Sequence, residues 1–404
     1  MAGTSGLRAI AVGALALVLG ACSAGGFAIG DRVLTFPWDP PQDSVPVAQA
    51  GLPGAPGETF GHGPVRVALL LPLSDPALTS AATAMANGAK LAMSFIEANP
   101  NIAENITISL RDSGASAASA SQAASAALQD GASLILGPVR GDQVMAVGSV
   151  ARSAGVPVIG FANTSSAAAP GVYLLSVLPE TETKRSLAYA LSKGNRGLAA
   201  AFPATEAGAA QEKAFRQAVA AIGLSPAAIY TYGSAVEAQG IVQQAMPMLK
   251  TGYIDTLFVP DRTAAPAFGA ALQETGAGAT GLLLMGSADW DNDGRLAQVP
   301  GLTGAVYPAV DPSGLMAISA EYQSRFGSAP PQLATLAYTA VILANVKTLS
   351  LSTPRYSAAA LTAATGFNGR DGVFRFLANG QGEYALAIKQ VGNGGAAVIE
   401  AGKL

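Results

Sequence analysis

The chain is poor in the side chains that do chemistry. Its 404 residues include one cysteine, Cys22, and one histidine, His62. A single cysteine excludes an intramolecular disulfide, and with no Cys–His arrangement available it also excludes thiolate catalysis and Cys-based metal sites. His62 stands in a Gly/Pro stretch, Gly61-His62-Gly63-Pro64, ahead of the first long apolar run. A Ser-His-Asp triad or a His-ligated metal needs that residue inside a pocket, and nothing in the sequence places it there. Charge is scarce too: 12% of residues are charged, with a formal net charge of −3, which gives no electrostatic basis for nucleic-acid binding. These absences point to a non-enzymatic protein with no cofactor and no metal.

What is present is apolar and small. Half of the residues are hydrophobic and 47 are glycine, enough to build large cores; the length suits two α/β lobes better than one. The first residues read as an address. Arg8 gives a modest positive start, and Ala9 to Val18 is apolar but shorter than the roughly 20 residues of a spanning helix. Leu19-Gly20-Ala21-Cys22 follows and resembles a bacterial lipobox, in which the cysteine sulfur is acylated and becomes the mature N-terminus. Residues 1–21 are then a lipoprotein signal peptide, and Cys22 a lipid anchor. By resemblance to enterobacterial lipoprotein sorting, Ser23 in place of Asp implies the periplasmic face of the outer membrane, with the inner membrane as the alternative. Residues 22–64 carry Pro37, Pro40, Pro41, Pro46, Pro53, Pro56 and Pro64. Such a segment prefers extended, solvated backbone and acts as a tether with a root-mean-square reach of roughly 35 Å.

From Val65 onwards the pattern alternates strand and helix. Val65 to Leu71 is a buried-type apolar run, and Met85, Ala89, Met93 and Ile96 form one stripe of a helix. Strands follow at Ile106–Leu110, Leu134–Gly137 and Val156–Phe161, with helices near Ala117–Gln129 and Gln143–Ala154. A second series has a helix near Thr181–Ser192 and strands at Leu198–Phe202, Ile229–Tyr232, Thr256–Val259 and Leu282–Met285. This spacing implies parallel sheets with helices on both faces, hence two doubly wound α/β lobes with an interlobe cleft at the strand carboxyl ends. Asp371 to Gln390 reads as a hairpin turning at Asn379-Gly380.

The stretches Val67-Ala68-Leu69-Leu70-Leu71-Pro72-Leu73-Ser74, Leu134-Ile135-Leu136-Gly137-Pro138 and Gly155-Val156-Pro157-Val158-Ile159 resemble landmarks of the type I periplasmic binding proteins, the leucine/isoleucine/valine-binding group. Within them, Pro170 to Leu175, Ala288 to Asp291, Pro330 to Tyr338 and Asp371 to Phe376 are similar to the penicillin-binding protein activator lipoproteins. The resemblance implies a domain over 65–395 in which the chain crosses between lobes three times. The first lobe is then about 64–178 plus 311–378, and the second about 179–310 plus 379–395. The helix from Leu333 to Leu349 returns to the first lobe.

Candidate ligand contacts cluster after the strands. Gly137 to Asp142 links a strand end to a helix start, so Arg140, Gly141 and Asp142 either face an anionic oxygen or form a plain turn with Asp142 as N-cap. Asn163, Thr164 and Ser165 follow the next strand, and Ser74 ends the first landmark. The resemblance puts Thr164 on the family's carboxylate-binding threonine, while the family's serine-rich stretch is replaced by Arg140-Gly141-Asp142. Asp261 and Asp289 are the candidates for an ammonium-binding acid. Trp290 is either a cleft-lining ring or an anchor packed on its lobe. Asp289 to Gly294 opens like a calcium loop, but its twelfth position is Pro300, so an Asx-rich turn is the better account. The resemblance implies two functions: regulation of a peptidoglycan synthase (a penicillin-binding protein), or receptor for an ABC permease with a small polar ligand in the cleft. Enzymatic chemistry is the third class, opposed by the scarcity of His and Cys, one of each, and by the lack of paired acids.

Overall fold

The computed structural model describes residues 57–277 and 281–404, together with two-residue strands at Ala28–Ile29 and Arg32–Val33. The signal segment, Cys22 and most of the Pro-rich tether lie outside the described residues. The first sheet contains Thr59–Phe60 (β1), Val65–Leu71 (β2), Ile106–Asp112 (β3), Leu134–Leu136 (β4), Val158–Gly160 (β5) and Val172–Leu174 (β6), in the order β1-β3-β2-β4-β5-β6. Strands β2 to β6 run parallel, and β1 is antiparallel at one edge.

Strand β2 shows why this sequence gives a sheet covered on both sides. Val65, Val67, Leu69 and Leu71 join one core with Met85, Ala89, Met93 and Ile96 of helix Thr79–Ala98 (α1). Ala68 and Leu70 face the other way, with Ala120, Ala123 and Ala124 of Ala117–Gln129 (α2) and Val144 and Val147 of Gly141–Ser153 (α3). Successive strand residues point to opposite faces, and here both faces are dry, so the run is apolar throughout. Each fully buried Met, Leu or Ile of this kind contributes about 1.5–3 kcal/mol over leaving it exposed.

The second lobe repeats the plan. Helix Pro179–Ser192 (α4) leads into Leu198–Pro203 (β7), Glu206–Ala221 (α5), Ala228–Tyr232 (β8), Ala238–Lys250 (α6), Thr256–Phe258 (β9), Ala265–Glu274 (α7), Leu283–Met285 (β10) and Val306–Ala309 (β11). Ala199 and Ala201 face the α6/α7 core, while Leu198, Ala200 and Phe202 face the α4/α5 core. The chain then returns to the first lobe. Helices Ser313–Phe326 (α8) and Leu333–Asn345 (α9) bury Ile318, Tyr322, Ala334, Tyr338 and Val341 in the α1 core. The second of these ends at Asn345, where Val346 leaves helical geometry (ψ 121°). A short helix, Lys347–Ser350, follows and contains the expected end, Leu349, and the Asn345 side-chain oxygen accepts the Asn105 N–H at 2.7 Å.

Strands Phe367–Gly369 (β12), Gly372–Phe376 (β13) and Gly382–Tyr384 (β14) form a small antiparallel sheet on the first lobe. The expected turn at Asn379-Gly380 is present, but its arms are shared differently from the expectation. Tyr384 packs with Phe374 and Phe376 in the first lobe's core, so the return to the second lobe falls after Tyr384 and not at 379. Gly380 allows the turn to seal the first sheet: its φ is +88°, and its carbonyl accepts the Leu174 N–H at 2.8 Å, covering the β6 edge. The second lobe extends beyond residue 395. Leu386–Gly392 (β15) and Gly395–Lys403 (β16) complete the sheet order β8-β7-β9-β10-β11-β15-β16, both antiparallel to their neighbours. Buried Arg185 of α4 holds this hairpin, donating to Leu386 O at 2.7 Å and lying 3.1 Å from Glu400.

Candidate functional site

Each lobe carries the strand order 2-1-3-4-5, counted from its own first parallel strand. In such sheets the connections diverge at the switch point between the first and third strands, leaving a crevice at their carboxyl ends. In the first lobe that point lies between β2 and β4, and in the second between β7 and β9. The loop after β2 carries Ser74 and Asp75, the loop after β4 carries Arg140, Gly141 and Asp142, and the loop after β5 carries Asn163, Thr164 and Ser165.

The structure brings these first-lobe residues together. Gly141 backs onto Thr164, whose Cβ would be 3.1 Å from a Cβ placed on the glycine. The Ser74 N–H donates to Asp112 Oδ1 at 3.2 Å. Arg140 Nε donates to Asp142 Oδ1 at 3.2 Å, and Nη1 lies 3.9 Å from Asp75 Oδ2. Asp142 is not the N-cap: Arg140 occupies that position without a side-chain cap, and Asp142 sits in the first turn. The guanidinium is thus flanked by two carboxylates, one of them on buried Asp75, 4% exposed. Asn163 and Thr164 remain exposed on the rim.

The acids of the second lobe are also engaged. Asp261 Oδ1 accepts the Thr263 N–H (2.8 Å) and hydroxyl (2.6 Å), and Oδ2 accepts the Tyr232 hydroxyl at 3.2 Å. Asp289 Oδ2 lies 3.4 Å from Arg262 Nε. Trp290 does not line the crevice. Its ring is 1% exposed, lies flat on Gly286 and packs 6.2 Å from Tyr307, so it is an internal anchor of the lobe. The three acids of the Asp-rich string diverge to separate cations: Asp289 to Arg262, Asp291 to Lys389 at 2.7 Å, and Asp293 to Arg295 at 2.7 Å.

Two residues at the crossover went unrecognised in the sequence. Helix α4 starts with Pro179 at its first position and places Glu180 and Glu182 in the first turn. Glu180 Oε1 accepts the hydroxyl of Ser165 from the first lobe at 2.6 Å. Glu182 Oε2 accepts the Ala288 N–H from the second-lobe loop at 2.9 Å. One helix turn therefore ties both rims. Burial pushes the Glu182 carboxyl up to about 7, with the charges of Asp289 and Glu180 adding to the rise against the Ala288 N–H. The signal available in the sequence was Pro179-Glu180-Thr181-Glu182, a proline-led acidic helix start with four residues between it and the end of β6. Two cavities in the first lobe lie away from these rims: one of about 270 Å³ beside Arg66, Thr107 and Arg111, and one of about 210 Å³ beside Phe95, Tyr338 and Arg370.

Two facing lobes, three crossovers and loops gathered at the switch points are matched by a family model. Residues 64–396 fit the periplasmic binding protein family. The chain is a type I periplasmic binding protein of the leucine-binding kind. A periplasmic binding protein of this kind has relatives among solved structures, each similar at the level of fold. A putative branched-chain amino acid ABC transporter protein from Rhodospirillum rubrum is 20% identical with a TM-score of 0.71, covering 83% of this chain and 99% of that one. An ABC transporter substrate-binding protein from Desulfitobacterium hafniense in complex with Leu is 16% identical with a TM-score of 0.60, covering 83% and 99%. LpoA of Haemophilus influenzae is 16% identical with a TM-score of 0.64; the match covers 84% of this chain and 59% of LpoA. No curated protein matches the sequence. Two of the stretches similar to the activators meet inside the fold. Asp371 accepts the Thr335 hydroxyl at 2.8 Å, joining the Pro330–Tyr338 and Asp371–Phe376 segments inside the first lobe.

Proposed function

We propose that this periplasmic binding protein is a non-enzymatic, lipid-anchored regulator of peptidoglycan synthesis that acts on a penicillin-binding protein in the manner of the activator lipoproteins. The observation that carries the reading is the state of the crevice. Arg140 is matched by Asp75 and Asp142, Asp261 by Tyr232 and Thr263, and Asp289 by Arg262. The charged groups on the two rims therefore already have partners within their own lobes, while Asn163 and Thr164 stay exposed. A protein used as an interaction platform can keep these pairs, whereas a receptor has to exchange them for ligand contacts. Anchoring through Cys22 on the periplasmic face of the outer membrane, with a long Pro-rich tether, supplies the reach such a regulator needs to meet an inner-membrane synthase.

The second reading is a receptor for an ABC permease, with Thr164, Arg140 and Ser74 on one rim and Asp261 or Asp289 on the other. It is favoured by the near-complete coverage of transporter proteins. Capture of the full-length protein from detergent-solubilised membranes separates the two. The regulator reading expects a transpeptidase as the stoichiometric companion. Recovery of a permease without a transpeptidase reverses the order of the two readings.

A further inference from the structure

The single histidine stands where the Pro-rich segment joins the first lobe, and the fold fixes its backbone there. Gly61 has φ +83°, and a Cβ on it would come within 2.8 Å of Met93 Cε. Gly63 lies so close to the start of β3 that a Cβ would overlap the backbone of Asn105 and Ile106. The Gly63 N–H donates to Ile106 O at 3.1 Å, and its carbonyl accepts the Thr107 hydroxyl at 2.7 Å. Between them, the His62 N–H donates to the Glu104 carboxylate. The imidazole therefore projects from a held backbone, 86% exposed, over the connection between α1 and β3. Glu97 in the last turn of α1 and Glu104 ahead of β3 approach it from two further segments. One ligand atom from each of His62, Glu97 and Glu104 lies within 4.8 Å of the others, and His62 Nδ1 is 3.5 Å from Glu104 Oε1.

We infer that His62, Glu97 and Glu104 form a site for a divalent first-row transition-metal ion, with zinc the best match. Zinc bonds of about 2.0–2.2 Å to nitrogen and oxygen put tetrahedral neighbours roughly 3.4 Å apart. The His62–Glu104 separation of 3.5 Å is close to that value, and the exposed Glu97 side chain, within 4.8 Å of both, can close the remainder by a rotamer adjustment. An imidazole donor selects zinc, nickel, cobalt or copper over calcium and magnesium, which take oxygen ligands. Two carboxylates balance the ion's charge, and with three protein ligands the fourth position is left to solvent or an external group. The bound ion ties the chain at residue 62 to α1 and β3, clamping the base of the tether to the first lobe.

The lone histidine makes the test direct. The full chain, labelled with carbon-13 at histidine, is titrated with zinc sulfate while the ring signals of His62 are followed. The ring signals move with the first equivalent of zinc, and equilibrium dialysis finds one zinc per chain. The exposed substitutions His62→Ala and Glu97→Gln leave thermal unfolding without zinc unchanged, and each weakens zinc binding at least about tenfold. Magnesium chloride at the same concentration leaves the ring signals in place. Ring signals that do not move, or wild-type zinc affinity in His62→Ala, overturn the site and leave an imidazole–carboxylate contact only.

Discussion

Glu182 gives the sharpest stability test, because a carboxyl that bridges the crossover is also buried. It is 7% exposed, and its surroundings move its ionisation from 4.5 to about 7. At roughly 1.4 kcal/mol per pH unit, that difference is worth about 3 kcal/mol of folding stability. The sign follows from which state ionises first. Below pH 4.5 both folded and unfolded chains carry the neutral acid, and no penalty exists. As pH rises, the unfolded chain ionises first, so stability falls until the folded-state value of about 7 is passed. Glu182→Gln removes the titration while its amide oxygen can still accept the Ala288 N–H. The variant should match wild type at pH 4 and exceed it by about 3 kcal/mol at pH 8.5, roughly 4 °C in melting temperature for a fold of this size. Urea unfolding of both proteins from pH 4 to pH 8.5 measures the difference directly. Parallel curves across that range would refute the burial argument, because a solvated or fully paired Glu182 produces no pH-dependent gap.

Two further predictions address the edge of the first sheet and the anchor. Gly380→Ala forces a side chain into a left-handed turn against the Val172 carbonyl, so it should cost at least about 2 kcal/mol and lower the urea midpoint; an unchanged midpoint removes Gly380 from its role at the β6 edge. Cys22→Ala should move the protein from the membrane to the soluble periplasmic fraction, and unchanged fractionation rejects the lipid anchor.

Some features are local enough to be read from residues in order. Val65 to Leu71 is apolar at every position but Arg66, so it had to be a strand with both faces covered. Helix α2 starts where Ser116 and Ser119 cap each other, and its expected bounds, Ala117–Gln129, are those observed. Asn379-Gly380 marked its turn because few other pairs accept that backbone. Other features depended on partners far away in the chain, and sequence pattern does not encode them. Trp290 looked equally suited to a cleft or a core; Gly286 beneath it and Tyr307 beside it made it core. Arg140 read either as an anion contact or as part of a plain turn, and the sequence did not show that the loop after β2 sets Asp75 within 3.9 Å of it. Tyr384 was assigned to the wrong lobe because a hairpin's two arms look alike in sequence, and only packing against Phe374 and Phe376 decided its side. His62 appeared isolated, since Glu97 and Glu104 reach it only once α1 and β3 fold against the glycines that flank it. Periodicity and turn chemistry are properties of neighbouring residues, so the sequence by itself determined the elements and their alternation. Charge pairing and burial are properties of surfaces that meet, and those the tertiary structure alone decided.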